Sequence, residues 1–216
     1  MYWYLRTLIK LFLGKGVDKS YSQFGEDMAA KVYLRGIKKG TYVDIGCADP
    51  VLYSNTYHFY KKGWKGVCYD PNPFFAARYR LLRPRDVFIC AGIGKPGRLT
   101  YHMFNDESYN TFSHEDADKY LQRKSLKLIQ KVEVDVRPLR LEGISQIDFM
   151  NIDVQGLDLE VLETYDWSIT PTVIAVEDEQ FDATNPSLSG IYRFLTTKGY
   201  ELKAFTGLTL IFKIQN

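Results

Sequence analysis

Two short apolar segments, each ending near an acid, constrain the fold of this chain most. Residues 41–45 read TYVDI and are followed by Gly46, and residues 66–70 end at Asp70. In a parallel α/β sheet, ligands bind where strands end and the next turns begin. A glycine in the first turn lets backbone approach a ligand, and a carboxylate ending the second strand can accept hydrogen bonds from two ribose hydroxyls. The pattern therefore predicts a site for a cofactor that contains a ribose.

The first turn also indicates which class of cofactor the site can bind. It contains one glycine, Gly46, whereas a dinucleotide site has the G-x-G-x-x-G pattern that admits a pyrophosphate. A cofactor with a ribose and no pyrophosphate fits better, and S-adenosylmethionine is the commonest of these. An oxidoreductase that binds a dinucleotide or a nucleotide sugar is the alternative. The missing glycines and the lack of a suitably placed Tyr-x-x-x-Lys pair weigh against it.

Length, charge and cysteine usage limit the remaining possibilities. The 216 residues are 45% hydrophobic, which is enough for a domain with a substantial core. The 28 basic and 26 acidic side chains leave a net charge of +2, so charge gives no reason to expect a nucleic-acid partner. Cys47, Cys68 and Cys90 are odd in number and lack C-x-x-C spacing. We interpret them as buried apolar residues of a cytoplasmic protein.

Strand-like and helix-like segments alternate along the chain, which predicts a parallel sheet with helices on both faces. The predicted strands are 42–45, 67–69, 87–91, 99–104, 132–136, 147–152, 173–176, 201–205 and 208–214. The predicted helices are 26–35, 54–62, 74–82, 116–124, 157–163 and 187–198. Thr206 and Gly207 between the last two strands indicate a hairpin, so the fold class is α/β, with a mostly parallel sheet and a C-terminal antiparallel hairpin.

The N-terminal segment is apolar and aromatic and has two cations. Arg6 and Lys10 are four residues apart and share one helical face. Residues 1–13 are too few to span a bilayer, and no small-residue cleavage site follows them. We divide the chain into a helical extension, residues 1–20, and a domain, residues 21–216. The extension is either an interfacial helix at a membrane or a helix packed on its own domain or on a partner subunit; the oligomeric state is not predicted.

Seven sequence blocks resemble the FkbM-type S-adenosylmethionine-dependent methyltransferases. They are residues 21–27, 42–46, 54–56, 63–66, 70–73, 147–156 and 173–177, and they follow the order of the family. Asp70 and Gln155 stand where the family usually has Glu. Asp70 keeps the carboxylate, whereas Gln155 loses a charge.

The resemblance implies a class I, Rossmann-like methyltransferase with S-adenosylmethionine as cofactor. It favours O-methylation of a hydroxyl on a sugar, glycan or glycosylated metabolite as the small-molecule acceptor. Methylation of an amine or carboxyl group of another metabolite stays open. A further alternative is a non-catalytic nucleoside-binding or cofactor-binding module in a membrane-associated glycan-synthesis assembly.

The expected cofactor-binding residues follow the first two strands. Asp44, Gly46 and Ala48 should form the floor beneath the methionine half, and Asp70 should accept from the ribose. Asp49 either meets the cofactor ammonium or caps local N–H groups.

Three further positions extend this expected site. Asn72 either contacts the adenine or serves the turn between its two prolines. Ser54 is expected to cap a helix, and Asn55 and Thr56 beside it are expected to face the cofactor or acceptor. The segment 23–27 could cover the cofactor, although charge at a helix start also explains Glu26 and Asp27.

The expected acceptor side of the site centres on Asp153, which lies at the end of a predicted strand. Gly156 opens the turn that follows. An alcohol is a weak nucleophile, so O-methylation benefits from a base or a metal that lowers the hydroxyl pKa. Asp153 could take the proton directly, or it could join Glu177 in holding a divalent cation. The alternative is that Asp153 only orders its own loop.

A polar loop, residues 105–114, offers further acceptor contacts. Ser108 and Thr111 are expected to line the acceptor pocket, and an ordinary surface loop is the alternative. His102 and His114 are alternative bases. His58 is expected on a helix surface.

Overall fold

The computed structural model describes residues 2–13, 18–141 and 143–215. Within these ranges the strands are β1 (Thr41–Ile45), β2 (Lys65–Asp70), β3 (Val87–Cys90), β4 (Gly92–Ile93), β5 (Gly97–Phe104), β6 (Leu128–Arg137), β7 (Phe149–Ile152), β8 (Val173–Glu177), β9 (Tyr200–Thr206) and β10 (Thr209–Ile214). The helices are α1 (Tyr2–Phe12), α2 (Glu26–Tyr33), α3 (Tyr57–Lys61), α4 (Phe75–Leu82), α5 (His114–Leu121), α6 (Asp158–Thr164) and α7 (Gly190–Thr197).

A seven-stranded sheet forms the centre of the domain, in the order β3-β2-β1-β7-β8-β10-β9. Neighbouring strands from β3 to β8 pair in parallel, while β10 runs antiparallel to both β8 and β9. The predicted fold class is confirmed, including the reversed strand in a C-terminal hairpin. Because the parallel strands end at the same edge, the turns after β1, β2, β7 and β8 lie together.

The central sheet has a hydrophobic core on each face. Val43 of β1 packs in one core with Leu195 of α7, and Tyr42 packs in the other with Tyr79 of α4. Successive side chains of a strand point to opposite faces. Asp44 therefore lies on the same face of the sheet as Tyr42, where its carboxylate is almost fully buried.

A second sheet of three strands, in the order β4-β6-β5, was not predicted as a separate unit. Strand β6 begins four residues earlier than expected and pairs antiparallel with β5, from Gly97↔Val136 to Phe104↔Leu128. The alternation of apolar and polar residues in 132–136 indicates a strand but does not say which sheet it joins. This small sheet carries Tyr101 and the loop that follows β5 to the rim of the central site.

Several local expectations need correction. Cys90 is exposed, because β3 is the outer strand of the sheet, whereas Cys47 and Cys68 are buried as predicted. His58 is buried, with its Nδ1 3.4 Å from the carbonyl oxygen of Lys19.

Helices α3 and α7 begin three residues later than predicted. Helix α7 begins at Gly190 because the Ser189 hydroxyl accepts a hydrogen bond from Tyr192 N. Ser54 makes its predicted capping contact with Tyr57 N at 3.2 Å, although α3 begins only at Tyr57.

Candidate cofactor and acceptor site

A cleft of about 370 Å³ opens where β1, β2, β7 and β8 end. This volume lies in the range of small-molecule sites. The predicted site residues that line it are Asp44, Gly46, Ala48, Asp49, Asn55, Asp70, Ser108, Thr111, Asp153 and Glu177. Residues predicted for the cofactor side and for the acceptor side therefore border one continuous space. Thr56 and Asn72 do not line it.

Gly46 has a positive φ of 75°, and an added Cβ would lie 1.7 Å from the carbonyl oxygen of Asp153. Its N–H donates to the carbonyl of Tyr69 at 2.9 Å. The missing side chain thus makes room for the end of β7, a reason for glycine that sequence reasoning did not anticipate. A close approach of this turn to a cofactor stays a prediction.

Asp70 ends β2 with its carboxylate buried and held by backbone donors. Its Oδ1 accepts from Asn72 N at 2.8 Å, and its Oδ2 accepts from Ala48 N at 3.1 Å. Burial raises the pKa of Asp70 to about 7. Each carboxylate oxygen has two acceptor sites, so one on each oxygen is left for a ligand hydroxyl. Asp70 therefore fits the ribose of a nucleoside cofactor.

The carboxylate of Asp44 is held by two side chains, and a third supports one of them. Its Oδ2 accepts from the Thr56 hydroxyl at 2.5 Å, and its Oδ1 accepts from Asn151 Nδ2 at 2.9 Å. Asn55 donates from Nδ2 to Asn151 Oδ1 at 2.9 Å. Burial raises the pKa of Asp44. Thr56, expected to face a ligand, instead lies beneath the cleft and positions Asp44, while Asn55 lines the cleft.

A buried ion pair that sequence reasoning missed supports this network. Arg83 donates from Nε to Asp86 at 2.6 Å, and both side chains are fully buried. Its Nη2 donates to the hydroxyls of Tyr42 and Thr56, each at 2.9 Å. Asp86 also accepts from Gly66 N at 2.9 Å. The sequence signal that could have indicated this ion pair was the spacing of three residues between the two opposite charges. Exposed charged residues often show the same spacing, so it does not indicate burial.

The turn after β1 is closed by Asp49. Its Oδ1 accepts from Val51 N and Leu52 N, each at 2.9 Å, so the capping interpretation describes this carboxylate. Its Oδ2 lies 3.3 Å from Arg78 Nη1, and the same guanidinium makes a two-point ion pair with Glu107 at 2.6 and 3.0 Å. Arg78 and Glu107 line the cleft but were not predicted. They connect α4 to the polar loop across its rim.

The end of the cleft that was predicted to take the acceptor contains two acids joined by an amide. Gln155 donates from Nε2 to Asp153 Oδ1 at 3.0 Å and to Glu177 Oε2 at 3.2 Å. Burial raises the pKa of both acids, and the charge of Asp153 raises the pKa of Glu177 further. Asp158 accepts hydrogen bonds from Val154 N and Gly156 N, each at 3.1 Å. Asp158 therefore orders this turn, which was the alternative role expected for Asp153.

In the residues that the structure describes, no group of three or more His, Cys, Asp or Glu side chains is arranged to hold a metal ion. Asp153 and Glu177, the predicted metal ligands, form a pair that shares one amide donor with Gln155.

The polar loop presents its two predicted residues to the cleft. Ser108 donates its N–H to Asp106 at 3.1 Å, and Thr111 is buried with its hydroxyl accepting from Ser113 N at 3.0 Å. His102 pairs with Thr111 through backbone hydrogen bonds, and its ring lies edge-on to His114 at 4.7 Å. Burial lowers the pKa of His102. Neither histidine lines the cleft, so the two alternative bases lie outside it.

The segment before β1 contributes Gln23 to the cleft. Asp27 holds this segment, accepting from the hydroxyls of Ser20 at 2.7 Å and Ser22 at 2.9 Å. Glu26 accepts from Phe24 N at 2.8 Å. The two acids therefore serve the backbone and side chains of the loop, and Gln23 is the residue that they bring to the site.

A second, more open groove adjoins the cleft at Arg78 and Glu107. Asn72 lines it and is fully buried; its Oδ1 accepts from Phe74 N at 3.0 Å, which is the turn role expected as its alternative. Among the residues that the structure describes, its Nδ2 has no hydrogen-bond partner. The groove is otherwise lined by Phe74, Met103, Phe104, Asn105, Asp106, Asn110, Ile129 and Gln130. A buried donor without a partner is unusual in a protein.

The strand order and the reversed β10 are those of the class I methyltransferases, and an acidic side chain ends β2, where an acid can accept from the ribose of a cofactor. The methyltransferase FkbM domain matches residues 44–202. The chain therefore belongs to this family of S-adenosylmethionine-dependent methyltransferases. No curated protein gives a significant match.

Solved structures give distant likenesses. Methyltransferase FkbM from Methylobacillus flagellatus KT has 15% identity and a TM-score of 0.49, over 86% of this chain and 47% of that one. A TehB-like SAM-dependent methyltransferase from Corynebacterium glutamicum has 11% identity and a TM-score of 0.43, over 99% and 96%. Precorrin-6y C5,15-methyltransferase from Geobacter metallireducens GS-15 has 10% identity and a TM-score of 0.46, over 88% and 87%. The chain thus spans about half the length of the first of these proteins.

Proposed function

We propose that the protein transfers a methyl group from S-adenosylmethionine to a hydroxyl oxygen of a sugar, glycan or glycosylated metabolite. The main support is that the cleft bordered by Asp70 also contains the acid pair Asp153 and Glu177. One end of this space can accept hydrogen bonds from a ribose, and the other can accept a proton. A cofactor-binding module without catalysis would not need the second end.

Asp70 would hold the cofactor by its ribose, and the turn of Gly46 and Ala48 would border the methionine half. When bound, S-adenosylmethionine supplies an electrophilic methyl group to a nucleophile. The buried network of Asp44, Asn55 and Asn151 fixes the wall between these parts without rearrangement. Such prior ordering of the binding groups favours affinity, because little conformational freedom is lost on binding.

Asp153 would act as the base. Two carboxyl groups that lie close together in a buried setting do not both ionise readily. The pair therefore keeps one proton at pH values at which an isolated carboxyl group is already ionised. Beyond the effect of burial, the negative charge of Asp153 raises the pKa of Glu177, so we assign Glu177 as the protonated partner and Asp153 as the carboxylate. Asp153 would then accept the proton of the acceptor hydroxyl, and Gln155 would hold its Oδ1 in place.

The acceptor would pass Ser108 and Thr111 to reach this base. On that side the cleft continues into the second groove. The exposed amide of Gln130 can donate to and accept from hydroxyls, and Phe74 offers an exposed apolar ring. This combination of a planar polar group and an aromatic face supports a sugar as the acceptor.

A calorimetric titration with S-adenosylmethionine, S-adenosylhomocysteine and NAD tests the cofactor assignment. We expect micromolar binding of the first two, no binding of NAD, and loss of binding in Asp70→Ala. Asp118→Ala, which changes an exposed acid on α5, is the matched control and should bind normally. If folded protein binds neither sulfur compound, the methyltransferase activity proposed for this chain is wrong.

Transfer of a labelled methyl group to a panel of sugars and glycosides then tests the catalytic assignment. Asp153→Ala should bind cofactor nearly as well as the unchanged protein but should transfer no label. If Asp153→Ala also loses cofactor binding, the role given to Asp153 is wrong. Adding a chelator separates a proton-transfer role from a divalent cation held by Asp153 and Glu177, because only the second would lose activity. Binding without transfer to any acceptor would favour the non-catalytic module.

A further inference from the structure

Helix α1 is exposed on all sides in the described part of the chain. Residues 3–13 are all exposed, and the side chain of Phe12 is 92% accessible. The exposed apolar side chains include Tyr4, Leu5, Leu8, Ile9, Leu11 and Phe12. Packing on its own domain, one of the two expectations for this segment, is therefore not observed. A contiguous apolar surface of this kind usually marks an interaction site.

The polar residues of α1 form one narrow stripe. At about 100° per residue, Arg6, Thr7 and Lys10 fall within about 100° of arc. The Arg6 guanidinium lies 5.5 Å from the centre of the Trp3 ring, along the same stripe. The remaining arc is apolar. No acidic residue precedes Asp18 in the sequence, so the whole segment is cationic.

The composition of the two arcs limits what can cover the helix. An isolated helix of 11 residues is marginally stable in water, so α1 needs a partner surface. That surface must be apolar over a broad arc and negatively charged along its border. Aromatic residues with polar edges, such as Trp3 and Tyr4, suit an interface between apolar and aqueous phases.

A second copy of the chain meets these requirements poorly. A paired helix buries a narrow seam and needs several heptads, whereas α1 has three turns and a broad apolar arc. A helix of 11 residues is about 16 Å long, and a bilayer core is about 30 Å thick. In the ranges that the structure describes, no helix has the length and apolarity to span a bilayer.

We propose that α1 binds in the plane of an anionic phospholipid surface. The apolar arc enters the boundary between headgroups and acyl chains, and Arg6 and Lys10 contact lipid phosphates. Attachment by one short helix is reversible. It brings the methyltransferase domain to acceptors near a membrane, but it does not depend on the proposed reaction.

Co-sedimentation with vesicles tests the proposal, using phosphatidylcholine alone and phosphatidylcholine mixed with phosphatidylglycerol. The full chain should sediment with the mixed vesicles and much less with the neutral ones, and added salt should weaken binding. Arg6→Gln with Lys10→Gln should weaken binding about thirtyfold at low salt, since each cation near the surface contributes about fivefold. Lys38→Gln with Lys39→Gln, which removes two exposed cations elsewhere, should leave binding unchanged.

The apolar arc has its own matched pair of variants. Leu8→Ser with Phe12→Ser should abolish sedimentation with both vesicles, whereas Leu81→Ser with Leu188→Ser, at other exposed positions, should not. The proposal is overturned if the full chain stays in solution with anionic vesicles. It is equally overturned if light scattering shows a dimer that the α1 variants dissociate. Binding of S-adenosylhomocysteine should be the same in all four variants, so this proposal and the proposed function fail separately.

Discussion

A Cβ atom on Gly46 would lie 1.7 Å from the carbonyl oxygen of Asp153, so the turn after β1 passes the end of β7 only at a residue without a side chain. These two residues belong to the motifs assigned to the cofactor and to the acceptor. Their contact places the two predicted parts of the site side by side. Substitution at Gly46 should therefore disturb the fold as well as the site.

Gly46→Ala should destabilise the protein by more than about 4 kcal/mol or prevent folding, because backbone must move to relieve the overlap. Gly36→Ala is the control: its φ of 93° is also positive, but no atom lies within 4 Å of its added Cβ. It should lose only about 1–2 kcal/mol from the left-handed conformation. Urea unfolding measures both. Equal losses in the two variants would show that the overlap with Asp153 does not matter.

Arg83→Met should destabilise the protein by about 3–5 kcal/mol, since it leaves the buried carboxylate of Asp86 without its cation. Lys119→Met removes an exposed cation that pairs with Glu115 and should change stability by at most about 1 kcal/mol. Chemical denaturation compares the two. The double variant Arg83→Met with Asp86→Asn should lose less than the sum of the single changes. Strict additivity would contradict a coupled ion pair.

Affinity for S-adenosylhomocysteine should fall as pH decreases through about 7. The pKa of Asp70 is raised to about 7 in the folded protein, and only its ionised form accepts hydrogen bonds from both ribose hydroxyls. Protons and ligand therefore compete below that pH. Asp70→Asn should bind weakly at every pH and lose this dependence. Titrations between pH 5.5 and 8 (about one and a half units below to one above the pKa) measure it; an unchanged slope in Asp70→Asn would assign the dependence to another group.

Asp153→Asn should be more stable than the unchanged protein at pH 8. Both acids of the pair have raised folded-state pKa values, so the folded protein binds more protons than the unfolded chain above pH 4 or so. Stability is then lost as pH rises from the unfolded pKa toward the folded one. An amide at position 153 removes part of that loss, so the gain should grow with pH.

Thermal melting across pH 4 to 8 (about the unfolded carboxyl pKa up to mildly basic conditions) would measure the gain in Asp153→Asn. Asp118→Asn provides the control, because Asp118 is exposed and its replacement should change stability by no more than about 0.5 kcal/mol. A gain in both variants would point to net charge instead of the acid pair. A loss of stability in Asp153→Asn at high pH would contradict the raised pKa values.

Local patterns in the sequence were enough for the elements of the central sheet and for most of the cleft. Strands β1 and β2 are short apolar runs bounded by turn residues, and a parallel sheet brings such strand ends together. Asp44, Asp70, Asp153 and Glu177 could thus be assigned to one edge without knowledge of side-chain contacts. The reversed strand followed from the turn at Gly207, because hairpin signals are local.

The tertiary structure decided what depends on neighbours distant in sequence. Nothing near Arg83 in the sequence shows that its cation is fully buried beneath Asp44, or that Thr56 turns away from the cleft to support the same carboxylate. The exposure of Cys90 depends on β3 being an outer strand. Periodicity reports which residues prefer to be buried, whereas burial and hydrogen-bond partners are set by the packing of whole elements. Sequence alone therefore determined the class of fold and the acids of the site, and tertiary structure determined how those acids are held.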